Sequence, residues 1–270
     1  MLRYCLALIG CLLPCAADAE APTSLSAHYA TYAAGLHVAD IETAVSTSPR
    51  TYQMSVTFRT TGLAGFFYSG SQTGMVRGSW QGTNAVPAQY VGEGNWRGAK
   101  RLADIEYDHG QPKVRQLFPP NETEREPVPE NLRANTIDMM SAMMQLVHAA
   151  GTTGRCEGFV RTYEGRRLVE IEAHTVGPEI LPPSGRSSFA GRALRCDFST
   201  RLLAGFSLDG DRAREGRPMH GSAWLAPVVA GGAPMVVRVS FDTRWVGDAI
   251  TELTGVDAGA DITVAGDHQP

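Results

Sequence analysis

Along most of this chain apolar and polar residues alternate with a period of two, the pattern of β-strands with one buried and one wet face. The clearest run is 52–60, where Met54, Val56 and Phe58 alternate with Gln53, Ser55, Thr57 and Arg59. Residues 27–46 read as a hairpin broken at Ala34-Gly35. Strands are further predicted at 74–80, 88–96, 101–107 and 113–118, with turns at Gln81-Gly82, Trp96-Arg97-Gly98 and Asp108-His109-Gly110. The second half repeats the pattern. Segments 156–163 and 167–174 flank a turn at Glu164-Gly165-Arg166, and 190–198 puts Leu194, Cys196 and Phe198 on one face. Segments 222–229 and 235–245 close the sheet, with Val237, Val239, Phe241 and Trp245 sharing a side. Residues 177–188, holding Pro178, Pro182 and Pro183, read as a loop, 209–218 as an exposed polar connection, and 255–270 as a flexible tail.

One stretch breaks the rhythm. In residues 131–150 the apolar set Ile137, Met140, Met144 and Val147 recurs at helical spacing, as do Met139, Met143, Leu146 and Ala150. Only Asp138, Ser141, Gln145 and His148 interrupt them, forming one thin polar stripe. A helix near 136–150 is predicted, apolar over most of its girth and therefore buried. Asn135 or Thr136 is its expected N-cap, and Gly151 and Gly154 its stop. The proline-rich connection 117–130 leads into it. The polar stripe has two readings: a cavity lining that hydrogen-bonds a ligand, or a side that meets water and satisfies neighbouring backbone groups.

Evenly spaced short strands around one helix predict a mainly β fold: an antiparallel curved sheet forming an incomplete barrel or β-spiral, with the helix covering its apolar concavity. Residues 20–254 form a single β-rich domain in this reading. Residues 1–19 stand apart. Arg3, the short apolar run 5–13 and Ala17-Asp18-Ala19 have the layout of a secretory signal peptide cleaved near Ala19. A lipoprotein signal is the alternative, since Leu8-Ile9-Gly10-Cys11 resembles a lipobox, although the apolar run before Cys11 is very short. The expected location is periplasmic or secreted. No later apolar stretch approaches the length of a transmembrane helix.

Export changes the meaning of the cysteines. Of five, Cys5, Cys11 and Cys15 leave with the leader, and Cys156 and Cys196 remain as a pair in an oxidising compartment. A structural disulfide is the simplest reading. A redox pair would be expected as Cys-x-x-Cys, and a metal site lacks two further ligands. The formal charge of −4 argues against a nucleic-acid partner.

Catalytic signatures are absent from the sequence: no nucleophile elbow, phosphate loop, dinucleotide fingerprint or His-Glu-x-x-His helix occurs. The seven histidines are scattered, and His37 and His174 read as surface residues of strands. Glu170 and Glu172 share a strand face, which suits solvation better than acid–base chemistry. Arg97, Lys100 and Arg101, and Arg212, Arg214 and Arg217, read as charges that keep an edge soluble. Phe66, Phe67 and Tyr68, between glycines, read either as a sticky loop for a lipid or partner, or as a turn folded back into the core. No catalytic residue, metal ligand or cofactor is assigned. The speculative ligand-binding set is Asp138, Ser141, Gln145, His148, Phe66, Phe67 and Tyr68.

Four tracts carry a resemblance: TTGLAGFF at 60–67, SWQGTNAVPAQY at 79–90, REPVPENLRANTIDMMS at 125–141 and RALRC at 192–196. Together they resemble the exported bacterial family catalogued as domain of unknown function 3108, over residues 27–245. Met140 stands where leucine is expected in that helix. The resemblance implies a periplasmic or exported β-rich protein with no assigned activity. A looser, architectural likeness links the chain to periplasmic β-spiral proteins that maintain envelope integrity and use a disulfide. The expectation is a non-enzymatic protein for envelope maintenance, or for binding a lipid, a lipoprotein segment or a periplasmic protein partner. The alternative is an envelope-acting hydrolase with carboxylate catalysts that the sequence does not identify.

Overall fold

Tight turns dictate how the strands pair. Ala34-Gly35 and His109-Gly110 both hold two consecutive residues in the left-handed region, the two-residue loop whose twist suits a β-hairpin. The computed structural model describes residues 23–62, 70–96, 98–243 and 247–258. Residues 1–22, Phe66, Phe67, Tyr68, Arg97 and Trp245 lie outside the described residues. The first half is β1 (Thr23–Ala33), β2 (Leu36–Thr47), β3 (Thr51–Thr60), β4 (Gly70–Gln81), β5 (Asn84–Trp96), β6 (Ala99–Asp108) and β7 (Gln111–Phe118). After helix α1 (Met139–Thr153) come β8 (Gly158–Tyr163), β9 (Leu168–Leu181), β10 (Gly191–Ala204), β11 (Met219–Pro227), β12 (Pro234–Thr243) and β13 (Gly247–Ala258).

All thirteen strands form one antiparallel sheet in the order β7-β6-β5-β4-β3-β2-β1-β13-β12-β11-β10-β9-β8. Each half is a meander, and the halves meet where β1 pairs with β13. The sheet edges β7 and β8 are therefore the two strands joined by the connection that carries α1. That connection draws the edges together into a nearly closed barrel. Ile137 adds itself in parallel to the outer edge of β8, its N–H donating to Arg161 O at 3.1 Å and its carbonyl accepting from Tyr163 N–H at 2.9 Å. Asn135 N–H donates to Gly110 O in the β6–β7 turn. Tyr107 on β6 donates its hydroxyl to Tyr163 O on β8 at 2.7 Å. Gly165, at φ 91°, turns so close to β7 that a side-chain carbon there would meet Leu117 Cδ1 at 3.1 Å. Glu124 clamps the closure: its carboxylate takes both guanidinium nitrogens of Arg101 at 2.6 and 2.8 Å, and Arg166 at 3.3 Å. The free side of β7 carries Pro112, Lys113, Arg115 and a bulge, all of which discourage pairing with another chain.

Helix α1 lies within the cup and touches both halves. Met140 and Met144 pack with Tyr52, Met54, Val76, Tyr90, Ile105 and Tyr107 of β3–β6. Toward its far end Leu146, Val147 and Ala150 meet Leu194, Leu225 and Val236, beside the Cys156–Cys196 disulfide, whose Cα atoms are 6.1 Å apart. The expected helix over the concavity is present, and the paired cysteines are bonded.

Several boundaries differ from the sequence expectation, and β13, a strand the sequence reading did not assign, closes the sheet in place of 235–245. The helix begins at Met139, because Asn135 adopts φ 57° and Ile137 is spent on the β8 edge; Asp138 is the N-cap, and Gly154 rather than Gly151 ends it. Residues 177–181 extend β9 instead of forming a loop. The bulge at Val176 and Gly177 absorbs the irregularity, and Pro178 sits past the end of β8, where no ladder bond is asked of its nitrogen. Residues 255–258 continue β13, paired with β1 as far as Leu25↔Ala258; the ladder overrides a glycine- and aspartate-rich composition.

Candidate functional site

Cross-strand pairing sorts the inner face of β3–β6 into rows. The first, Val45–Met54–Val76–Tyr90–Ile105, is bulky and lies against α1. By the strict alternation of strands, the next rows on the same face are Val56–Gly74–Gly92–Ala103, then Phe58–Gln72–Gly94–Arg101, then Gly70–Trp96–Ala99. The side chains shrink in the row next to the helix. Bulky groups lie on the glycines instead: the Met140 sulfur over Gly74, the Trp96 indole over Gly70, and the Tyr90 hydroxyl over Gly92. The result is a glycine-rich trough whose floor these groups cover, with Met140 at one end and Phe58 and Trp96 as aromatic sides. Gln72 and Trp96 are exposed within it. Arg101, fixed by Glu124, provides the one cationic group on these rows. That pairing holds the Glu124 carboxyl below its usual range.

The glycines are close-fitting to different degrees. An added carbon at Gly74 would sit 2.8 Å from the flexible Met140 sulfur, whereas at Gly94 it would sit 2.2 Å from the Ser71 carbonyl oxygen. Gly74→Ala is expected to cost about 1 kcal/mol or less, and Gly94→Ala about 2–3 kcal/mol. Urea unfolding of the two variants measures the difference, and equal costs would contradict the backbone contact at Gly94.

The polar stripe of α1 faces the sheet, where each member has a structural partner. Asp138 is wholly buried; it caps the helix by accepting from Ser141 N–H at 2.8 Å and from Ser141 Oγ at 2.6 Å. Ser141 Oγ in turn meets the Tyr52 hydroxyl at 2.7 Å. Gln145 Oε1 accepts from Ala85 N–H at 2.9 Å, and His148 stacks on Trp80 with ring centres 4.0 Å apart. These four residues dock the helix. Phe66, Phe67 and Tyr68 lie outside the described residues. Sequence reading missed Tyr52, Trp80 and the glycines of β4 and β5. Its available signal was the spacing of Gly70, Gly74 and Gly78, four residues apart and so on one strand face.

Burial pushes the Asp138 carboxyl up from 3.8 to about 6, against the opposing pull of its hydrogen bonds from Ser141. The folded state therefore favours the protonated acid. This contribution to stability is complete below about pH 4 and is lost as pH rises through about 6, a change on the order of 3 kcal/mol. Asp138→Asn keeps an N-cap acceptor and cannot ionise. Relative to wild type it is expected to gain stability between pH 4 and pH 7. A pH-independent gap in urea unfolding at the two pH values would contradict this.

Chemically, the trough offers surface rather than reactive groups. Burial raises Tyr52, Tyr90 and Tyr107 well above the ordinary phenol range, so they stay neutral. Glu170 is tied to Arg201 at 2.9 Å, Glu172 is exposed, and His37 contacts Asp40 at 2.8 Å. Arg212 pairs with Glu126, and Lys100 and Arg101 point to opposite faces of β6. Among the described residues no group of three or more His, Cys, Asp or Glu is placed to hold a metal. Among the described residues no helix is long and apolar enough to cross a membrane. Open hollows lie on β4–β7, lined by residues away from the helix.

No curated protein matches the chain. Among solved structures it is similar to a β-barrel-like protein of domain of unknown function DUF1849 from Brucella abortus. That likeness has 12% identity, 88% of this chain and 99% of the other covered, and a TM-score of 0.52. A putative outer membrane lipoprotein-sorting protein domain from Vibrio parahaemolyticus aligns at 8% identity over 88% of this chain and 87% of its own. Its TM-score of 0.25 is too low to support an argument. The first likeness establishes a shared fold and nothing further. Residues 26–254 match the family model described as protein of unknown function DUF3108, and the chain belongs to that family.

Proposed function

We propose that the protein works outside the cytoplasm as a non-catalytic binding protein, holding the acyl chain of an envelope lipid or lipoprotein on the inner face of its sheet. The observation that supports this best is the glycine-floored trough between Met140 and Trp96. Met140 and Trp96, which cover Gly74 and Gly70, are the side chains an acyl chain would displace to lie on the sheet, and Phe58 and Trp96 supply apolar sides. The leader-like residues 1–19 and the Cys156–Cys196 bond favour an exported protein. The net charge of −4 disfavours nucleic acid.

Native mass spectrometry tests the reading on protein purified from the periplasm and then incubated with palmitate. An acyl adduct is expected, with reduced occupancy in Gln72→Glu, which places a charge on the exposed floor. Absence of an acyl adduct from both samples would refute the binding role. Turnover of envelope extracts that is lost with a single Asp or Glu substitution would favour the hydrolase alternative instead.

A further inference from the structure

The outer face of the same strands carries a second feature, unrelated to the helix. Over much of this face, charged and amide side chains are tied to one another. Arg59 binds Glu42, Arg77 binds Gln89, Gln89 binds Asp104, and Lys113 binds Asp108. Arg115 is paired with Glu106. On β2–β4 these ties run on to Arg59–Glu42 and Thr57–Thr73, but on β5–β7 they end at Asp104. Beyond it Ser71, Glu93, Asn95, Lys100 and Gln116 are exposed, and none makes a side-chain hydrogen bond or ion pair among the described residues. Leu102 and Phe118 are directly paired across β6 and β7 in their midst, with Phe118 51% exposed.

These residues line two adjoining open hollows of about 540 and 280 Å³ that share Lys100. The inventory is specific. Two amides, a hydroxyl, one carboxylate and one ammonium give closely spaced donors and acceptors with no net charge. The Leu102–Phe118 pair adds an apolar platform beside them. That combination matches a pyranose, whose ring edge carries hydroxyls and whose face carries C–H groups. It suits an acyl chain poorly, because polar groups would lose water without replacement. It suits an anionic polymer poorly, because Glu93 opposes Lys100. An extended peptide is disfavoured too: β4, β5 and β6 are paired on both sides, so their ladder groups are already used.

We infer that the outer face of β4–β7 binds a neutral oligosaccharide, with Phe118 stacking on a sugar ring and Asn95, Gln116, Glu93 and Lys100 hydrogen-bonding its hydroxyls. The site is on the opposite face from the acyl trough, so either assignment stands or falls alone. Calorimetric titration of the full mature chain with chitotetraose, cellotetraose and maltotetraose, each to about 10 mM, tests it. At least one is expected to bind with a dissociation constant of about 1 mM or tighter. Phe118→Ala and Asn95→Ala should each weaken that binding about tenfold or more. Arg77→Ala should leave it unchanged, and all three variants should keep the wild-type melting temperature. The inference is overturned by failure of all three sugars to bind, or by binding that neither Phe118→Ala nor Asn95→Ala weakens.

Discussion

Met144→Asp is expected to leave the protein unfolded, or nearly so, at 25 °C, while Met143→Asp one position earlier should melt within a degree or two of wild type. Met144 is 5% exposed and packed among Tyr52, Tyr90 and Ile105; Met143 is 40% exposed. A carboxylate at 144 enters an apolar cluster that offers no cation, so it either stays charged without an ionic partner or takes up a proton. Both routes cost about 3–5 kcal/mol, to which the lost methionine packing adds about 2 or more. A domain holding only about 5–15 kcal/mol in total has little left after that. Circular dichroism and urea titration of both variants decide the matter. If Met144→Asp melts like wild type, the helix is a peripheral strap and the account of the core is wrong.

The second large effect belongs to the cysteines. Replacing both Cys156 and Cys196 with alanine should cost about 4 kcal/mol, the entropy released to the unfolded chain by opening a loop across a sequence separation of 40. The bond joins the exit of α1 to β10, and both cysteines are wholly buried beside Ala150 and Leu225. Neither should react with a thiol reagent in native, unreduced protein, and both should react after reduction and unfolding. Immediate labelling of native protein, or a double variant as stable as wild type, would contradict the assignment.

The strands were largely legible because their signal is local. Alternation marked β3 nearly to its ends, and glycine turns marked the hairpins at Ala34-Gly35, His109-Gly110 and Glu164-Gly165. The helix was legible in existence but not in its start, because Asn135 and Thr136 resemble caps while the β8 edge claims Ile137. Only the fold decides that competition. The polar stripe shows a similar limit. Sequence displays four polar residues at helical spacing, but that Tyr52, Ala85 and Trp80 answer three of them depends on contacts 60 or more residues apart. Residues 177–181 resisted reading because proline is judged by the strand it interrupts, and β8 ends before reaching it. The trough was hidden for a different reason. Glycine adds nothing to a hydrophobic pattern, so a floor made of glycines reads as weak strand.

The pairing of β1 with β13 sets an order of events for the growing chain. The first seven strands form a meander of local hairpins that can assemble as they emerge, but the inner edge of β1 has no mate until the last strand is made. Thr31 and Thr251, 3.0 Å apart across that join, are separated by 220 residues. Until they meet, β1 presents a long unpaired template, rich in alanine, threonine and tyrosine, to any other strand nearby. Completion of the sheet is thus expected to be its slowest step, since the longest loop closes last. A chain cut short within β13 should aggregate through β1, although every other strand is intact.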